Sequence, residues 1–230
     1  MITQIYSIQS EEEALACIKA GADRIGLLVG EKDGEYPCAV TEEEAGKIFR
    51  TVDSQAVKVL ISVLDDQEAI LKQTERLLPD VLHLCANFKG SLEFREQLRV
   101  RAPKVLLMEA VGIDTDYKAV IEAKEKAEYA DILILDSIST VVPGVGAAGV
   151  THDWNIDKLI VETVKVPVIL AGGLGPDNVE EAILKVHPFG VDSLTKTSIK
   201  RDGKLIGKDI EKVREFCERA KNTGTHGKKQ

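Results

Sequence analysis

The feature that most constrains this chain is an alternation of two kinds of stretch, repeated from one end to the other. Short continuous runs rich in Val, Ile and Leu are separated by amphipathic segments that carry helix start and stop signals. ITQIYSI (Ile2 to Ile8), RIGLLVG, VKVLISVLDD, DVLHLCAN, KVLLMEAVGI, DILILD, VPVILAGG and FGVDSLTK read as strands. Their apolar residues are continuous rather than alternating, as expected of strands covered on both faces. Between them, Ser10 caps EEEALACIKAGA and Thr41 caps a helix opening on Glu42, Glu43 and Glu44. Pro79 and Pro103 stop the helices that precede them, and Pro176 sits in the first turn of PDNVEEAILKV. A repeated strand–helix unit gives a parallel sheet with right-handed crossovers. Eight such units in 230 residues favour an α/β fold closed into a (β/α)8 TIM barrel over an open doubly wound sheet. The expected organisation is one barrel over residues 1–221, with a flexible polar tail, NTGTHGKKQ, over 222–230.

Composition narrows the partners. A hydrophobic content of 44% is enough for one large core that needs no covalent staples. The net charge of -8 leaves no basic face to neutralise a phosphate backbone, which argues against nucleic acid. A small phosphorylated ligand needs only a few local donors and stays open. Cys17, Cys38, Cys85 and Cys217 are scattered without a C-x-x-C pair, as in a reduced cytoplasmic protein. No leader-like N-terminus and no apolar run of membrane-spanning length is present, so no membrane role is expected. The absence of a clustered His/Asp set argues against a metal-dependent mechanism.

In a barrel of this kind the chemistry gathers at the C-terminal strand ends. In DILILD, Ile132, Ile134 and Asp136 share one face, so a carboxylate stands at the tip of an otherwise apolar strand. The loop beyond it carries Gly144, Gly146, Ala147, Ala148 and Gly149, small residues whose backbone N–H groups can approach an anion. Gly172 and Gly173 in AGGLGPDN expose further donors just before a helix N-terminus, and Ser193, Thr195 and Lys196 add hydroxyls and an ammonium. Tyr6, Ser7, Asp65, Asp66, His83, Cys85 and Glu109 complete the polar residues expected at the mouth. Each has a structural alternative. Asp136 can cap a turn, AGGL can be a tight turn, Asp65 and Glu109 can face solvent or pair with lysine, and Tyr6 can fill space.

The same residues carry a family resemblance. LAGGLGPDNVEEAI (Leu170 to Ile183) with PFGVD, and GAAGVTHDW (Gly146 to Trp154), resemble segments of the phosphoribosylanthranilate isomerase family. EEALACIKAGADRIGLL resembles its first helix and second strand. The resemblance spans nearly the whole barrel and is most specific from Asp131 to Asp192. It implies a barrel of the ribulose-phosphate-binding type and an aldose-to-ketose (Amadori-type) rearrangement of a phosphoribosyl compound in tryptophan biosynthesis, without cofactor or metal. It also implies a phosphorylated sugar as ligand and a monomer or homodimer. By the same resemblance Asp136 is the acid that opens the ribose ring and the glycines Gly146, Gly149, Gly172 and Gly173 bind the phosphate end, to which Thr195 and Lys196 add donors by their own chemistry.

The departures are specific. The family's base is the cysteine of Lys-Ile-Cys-Gly, where this chain reads Gln4-Ile5-Tyr6-Ser7. Tyr6 therefore takes the base position, and a phenol titrates higher than a thiol, so its pKa would have to be lowered. The family's arginine after strand two has no counterpart, its strand-four histidine is replaced by Cys85, and its strand-eight Ser-Ser-Gly becomes Leu194-Thr195-Lys196. Three readings follow: an isomerase with Asp136 and Tyr6, or Asp136 with Asp65, Glu109 or Cys85; a barrel that binds a phosphorylated metabolite or protein partner without catalysis; or another phosphosugar reaction in the same pocket. Fold alone does not choose among them.

Overall fold

The computed structural model describes residues 1–31, 36, 38–85, 88–113, 117–137 and 153–226. Eight parallel strands close in sequence order into a barrel: β1 Ile2–Ile5, β2 Arg24–Val29, β3 Val57–Ser62, β4 Val81–Leu84, β5 Leu106–Ile113, β6 Ile132–Ser137, β7 Val168–Leu170 and β8 Gly190–Ser193. The ring closes where Ile2–Ile5 pairs with Gly190–Ser193. The helices outside it are α1 Glu11–Lys19, α2 Glu42–Thr51, α3 Gln67–Leu77, α4 Leu92–Arg101, α5 Lys118–Ala127, α6 Trp154–Thr163, α7 Val179–Val186 and α8 Ile210–His226.

Local chemistry starts most of these helices. The hydroxyls of Ser10, Thr41 and Ser91 accept from the N–H groups of Glu13, Glu44 and Phe94, and Thr41 with Glu44 forms a reciprocal capping box. Asp66, one of the expected mouth carboxylates, instead caps α3 through the Ala69 N–H. Asp153 caps α6 and the adjacent Trp154 is buried, which gives the Asp-Trp pair a structural role.

Two apolar layers result from the period-2 geometry of the strands. Val59, Ile61, Val81, Met108, Ile134 and Ile169 fill the barrel, while Leu27, Leu60, Leu82, Leu133 and Leu170 pack outward against the helices. Phe94 and Phe216, both fully buried, anchor α4 and α8 in that outer layer, each worth roughly 1.5–3 kcal/mol over an exposed side chain. Asp131 fixes the start of β6 by accepting from Leu107 N at 2.7 Å and from Arg95 Nη2 at 2.7 Å.

The structure corrects three expected boundaries. Strand one ends at Ile5 rather than Ile8, because Ser7 turns into the left-handed region with φ 59. Strand eight ends at Ser193, and Thr195–Thr197 form a 3-10 turn rather than strand. Residues 222–226, expected to fray, continue α8. An additional antiparallel hairpin, β9 Ser198–Arg201 and β10 Lys204–Lys208, follows β8 and precedes α8 in the chain. Its turn is Asp202-Gly203, both at positive φ (49 and 79), the strongest short hairpin signal a sequence offers. Among the described residues no helix is long and apolar enough to cross a membrane.

Candidate active site

Because Ile132 and Ile134 face the barrel axis, Asp136 does so as well, two residues on and level with Gly112 of β5. Its side chain is half-buried, and its Oδ1 accepts from the Ser137 N–H at 2.7 Å. The Asp136 charge is felt by three other groups, Tyr6, Cys85 and Asp192, all of which it pushes upward in pKa. These four side chains, from the tips of β1, β4, β6 and β8, share one mouth.

Tyr6 lies just past β1 and is 6% exposed. Its ring covers Gly26 of β2, where a Cβ would collide with Tyr6 Cδ1 and Cε1. Glycine is therefore what makes room for the aromatic ring. The hydroxyl lies 2.9 Å from Nδ1 of His83, and the two rings are 5.6 Å apart. Burial raises the Tyr6 pKa well above the usual phenol value, and the Asp192 carboxylate adds to that; Arg24 opposes it only in part. The lowered pKa that a thiol-like base would need is thus reversed here, because a phenolate would be desolvated among carboxylates.

His83 is inward on β4, between the levels of Ile61 and Met108, and burial holds its pKa down at about 3, with Lys126 adding to the effect. The imidazole is neutral at any working pH, and its Nε2 is buried without a hydrogen-bond partner among the described residues. Cys85, also inward, is half-buried, and burial followed by the Asp136 charge pushes its thiol up to about 12.

Two expected mouth carboxylates lie elsewhere. Asp65 is exposed on the loop after β3. Glu109 is on the outward face of β5, since Met108 and Ala110 take the inward one. It is 2% exposed, accepts from Gly90 N at 2.9 Å and lies 3.8 Å from Lys126 Nζ. Burial raises its pKa to about 7, with Lys126 and the Gly90 bond opposing. It belongs to the helix layer, not to the mouth. The lysine pairing weighed from the sequence is what it makes.

The residue the sequence reading missed is Asp192. It is 4% exposed inside β8, accepts from Gln4 Nε2 at 3.2 Å, and its pKa is raised well above the carboxylate range, first by burial and then by Asp136. The signal was available in PFGVD, where Gly190 and Asp192 share one strand face.

Beside Tyr6, whose N–H donates to Ser193 O at 3.2 Å, the tips of β7 and β8 form a backbone-built corner. Gly172 and Gly173 adopt positive φ (80 and 63), a conformation glycine takes at little cost. Asn178 clips the loop shut, accepting from Gly175 N at 2.9 Å and donating to Gly173 O at 3.1 Å. Ser193 Oγ donates to Leu174 O at 2.7 Å, tying β8 to the same loop. Thr195 is half-buried in the 3-10 turn; Lys196 is exposed at the rim, 3.5 Å from Asp177. Gly146 and Gly149 lie outside the described residues. Among the described residues no group of three or more His, Cys, Asp or Glu is arranged to hold a metal ion.

Comparison with known proteins converges on one kind of barrel. A family profile described as "N-(5'phosphoribosyl)anthranilate (PRA) isomerase" matches residues 3–219. The chain is 34% identical over 225 residues to N-(5'-phosphoribosyl)anthranilate isomerase 2 of Methanosarcina mazei, covering 96% of this chain and 95% of that one. It superposes on the phosphoribosyl anthranilate isomerase of Thermotoga maritima with a TM-score of 0.77 at 25% identity, covering 96% and 100%. A further solved isomerase holds reduced 1-(o-carboxyphenylamino)-1-deoxyribulose 5-phosphate and matches with a TM-score of 0.74 at 24% identity, covering 96% and 100%.

Proposed function

The chain belongs to the N-(5'-phosphoribosyl)anthranilate isomerase family, and we propose that it converts N-(5'-phosphoribosyl)anthranilate to its aminoketose. Asp136 protonates the ribose ring oxygen so that the ring opens to an iminium. Tyr6 then takes the proton from the neighbouring carbon, giving an enolamine that becomes the ketone. The phosphate sits against Gly172 and Gly173 and the N-terminus of α7, with Thr195 and Lys196 at its rim. The protein works in the cytoplasm as a monomer or homodimer. All four of its cysteines are free.

The observation that carries this reading is the shared mouth. Asp136 and Tyr6 approach it from β6 and from beyond β1, close enough that the Asp136 charge raises Tyr6. A second reading, a barrel that binds a phosphorylated metabolite without turnover, draws on one specific fact: the group in the base position is a phenol held in its protonated form.

Turnover of freshly prepared N-(5'-phosphoribosyl)anthranilate separates the two. The isomerase reading predicts conversion by the wild-type protein, with Asp136→Asn lowering kcat by about 10²–10⁴-fold, the range of a positioned general acid. Folded wild-type protein that binds phosphosugars but yields no ketone would establish the binding reading instead.

A further inference from the structure

A protonated phenol can remove a proton from carbon only if its own proton has somewhere to go. The Tyr6 hydroxyl lies 2.9 Å from His83 Nδ1, which is an acceptor in the Nε2–H tautomer, and both side chains are more than nine-tenths buried. We infer that His83 completes the base: a Tyr6–His83 relay, in which His83 takes the hydroxyl proton while Tyr6 takes the substrate's. The inference rests on the isomerase reading above. In it Tyr6 is the catalytic residue, and His83, acting through Tyr6, is a positioning residue.

The step balances within the site. The carbon–hydrogen bond at C2 of the ring-opened iminium breaks, and its electron pair forms the enolamine double bond to C1. That proton joins Tyr6 Oη as the hydroxyl proton moves to His83 Nδ1, leaving a neutral phenol and an imidazolium. When the enolamine becomes the ketone, C1 receives a proton from Tyr6 Oη, which recovers its own from His83. The C2 hydroxyl proton goes to Asp136, which regains the proton it gave the ring oxygen.

The surroundings set the state from which the relay starts, and burial and Lys126 oppose the imidazolium it passes through, which confines that ion to the transfer step. Asp192 from β8, Cys85 from β4, Arg24 from β2 and Asp136 from β6 face Tyr6, and Lys126 from α5 acts on His83. The net effect keeps the phenol protonated and the imidazole neutral in the resting enzyme, which is the state the relay starts from. With Nδ1 accepting, the imidazole proton is on Nε2, a buried donor without a partner among the described residues. A buried donor left open in an active-site mouth calls for a water or a sugar hydroxyl. The arrangement also separates this base from a thiol. A thiol base gains rate as it ionises, whereas the relay starts from groups that do not change charge between pH 6 and 9 on the values above.

The test compares wild type, Tyr6→Phe, His83→Gln, the Tyr6→Phe/His83→Gln double variant and Cys85→Ser on N-(5'-phosphoribosyl)anthranilate, with thermal unfolding of each as a control for folding. Glutamine keeps a hydrogen-bond partner for the Tyr6 hydroxyl but has no basic nitrogen. The relay predicts that Tyr6→Phe and His83→Gln each lower kcat by about 10²-fold or more, with KM little changed. The double variant is no slower than either single one, and wild-type kcat/KM has no rising limb near the pKa of a thiol. A His83→Gln enzyme at full rate overturns the relay. So does an alkaline limb that Cys85→Ser abolishes, which would place the base on β4. A wild-type enzyme without turnover removes the isomerase reading and the relay with it, an outcome distinct from a loss confined to one variant.

Discussion

The two sides of the barrel mouth are made of different materials. At the tips of β7 and β8 the site is built from main chain: Gly172 and Gly173 in left-handed conformations, held by Asn178 and Ser193. At the tips of β1 and β4 it is built from side chains: Tyr6 over Gly26, its hydroxyl on His83, with Cys85 nearby. Main-chain donors are set by backbone conformation, so an anion corner survives as long as the glycines do. A proton-transfer site depends on which side chain stands where, and each exchange alters the charge of its neighbours. The AGGL glycines after β7 keep the pattern that resembles the family, whereas the tip of β8 reads Leu194-Thr195-Lys196 and the end of β1 carries a phenol in place of a thiol.

The comparison can be broken most strongly from behind the rebuilt side. Glu109 holds Gly90 on the loop after β4 and titrates at about 7 instead of 4.5. Between those values the native protein retains a proton that the unfolded chain releases, so stability falls as pH rises through that window. The expected loss is about 3 kcal/mol, and Glu109→Gln should abolish it. Urea unfolding of both proteins at pH 5 and pH 8 measures it. Equal pH dependence in the two would place the titrating group elsewhere.

Next in size is the fit of Tyr6 on Gly26. Gly26→Ala forces a methyl into the Tyr6 ring and should destabilise by about 1–3 kcal/mol. In a Tyr6→Cys background the ring is gone and most of that penalty should vanish, leaving only the lighter contact with Ile61. A double-mutant cycle reads the coupling directly. Additive penalties would mean that the ring does not rest there.

On the main-chain side, Gly173→Ala must hold an alanine at φ 63, a cost of about 1–2 kcal/mol. The expected kinetic effect is a KM raised about tenfold with kcat nearly intact, because phosphate binding and not proton transfer is disturbed. A selective fall in kcat would contradict the division between the two sides. The smallest effect is expected at Lys196, whose exposed pair with Asp177 contributes at most about 1 kcal/mol to stability. Lys196→Ala should change KM only a few-fold at low salt and less at high salt.

What could be read from the sequence follows the same division. Continuous Val/Ile/Leu strands and capped helices specify the barrel, and period-2 alternation in DILILD puts Asp136 on the axis. The glycines of AGGL announce their own conformations. Glu109 was misplaced because KVLLMEAVGI is apolar on both faces, so only barrel closure decides which one points inward. The Tyr6 pKa is raised first by burial and then by Asp192, which lies at the other end of the chain and meets it only when β1 pairs with β8. No local pattern near Tyr6 carries that information. The hairpin was legible in RDGK, whose Asp-Gly pair is a two-residue turn signal.

The most direct test of a backbone-built phosphate corner beside a side-chain-built proton-transfer site is a crystal structure with reduced 1-(o-carboxyphenylamino)-1-deoxyribulose 5-phosphate bound. The account predicts the phosphate on the backbone N–H groups of Gly172 and Gly173, with C2 of the ligand within hydrogen-bond-like reach of the Tyr6 hydroxyl and Asp136 on the other side of the sugar. A ligand whose phosphate lies away from those glycines, or whose C2 faces Cys85 with Tyr6 out of reach, would contradict it.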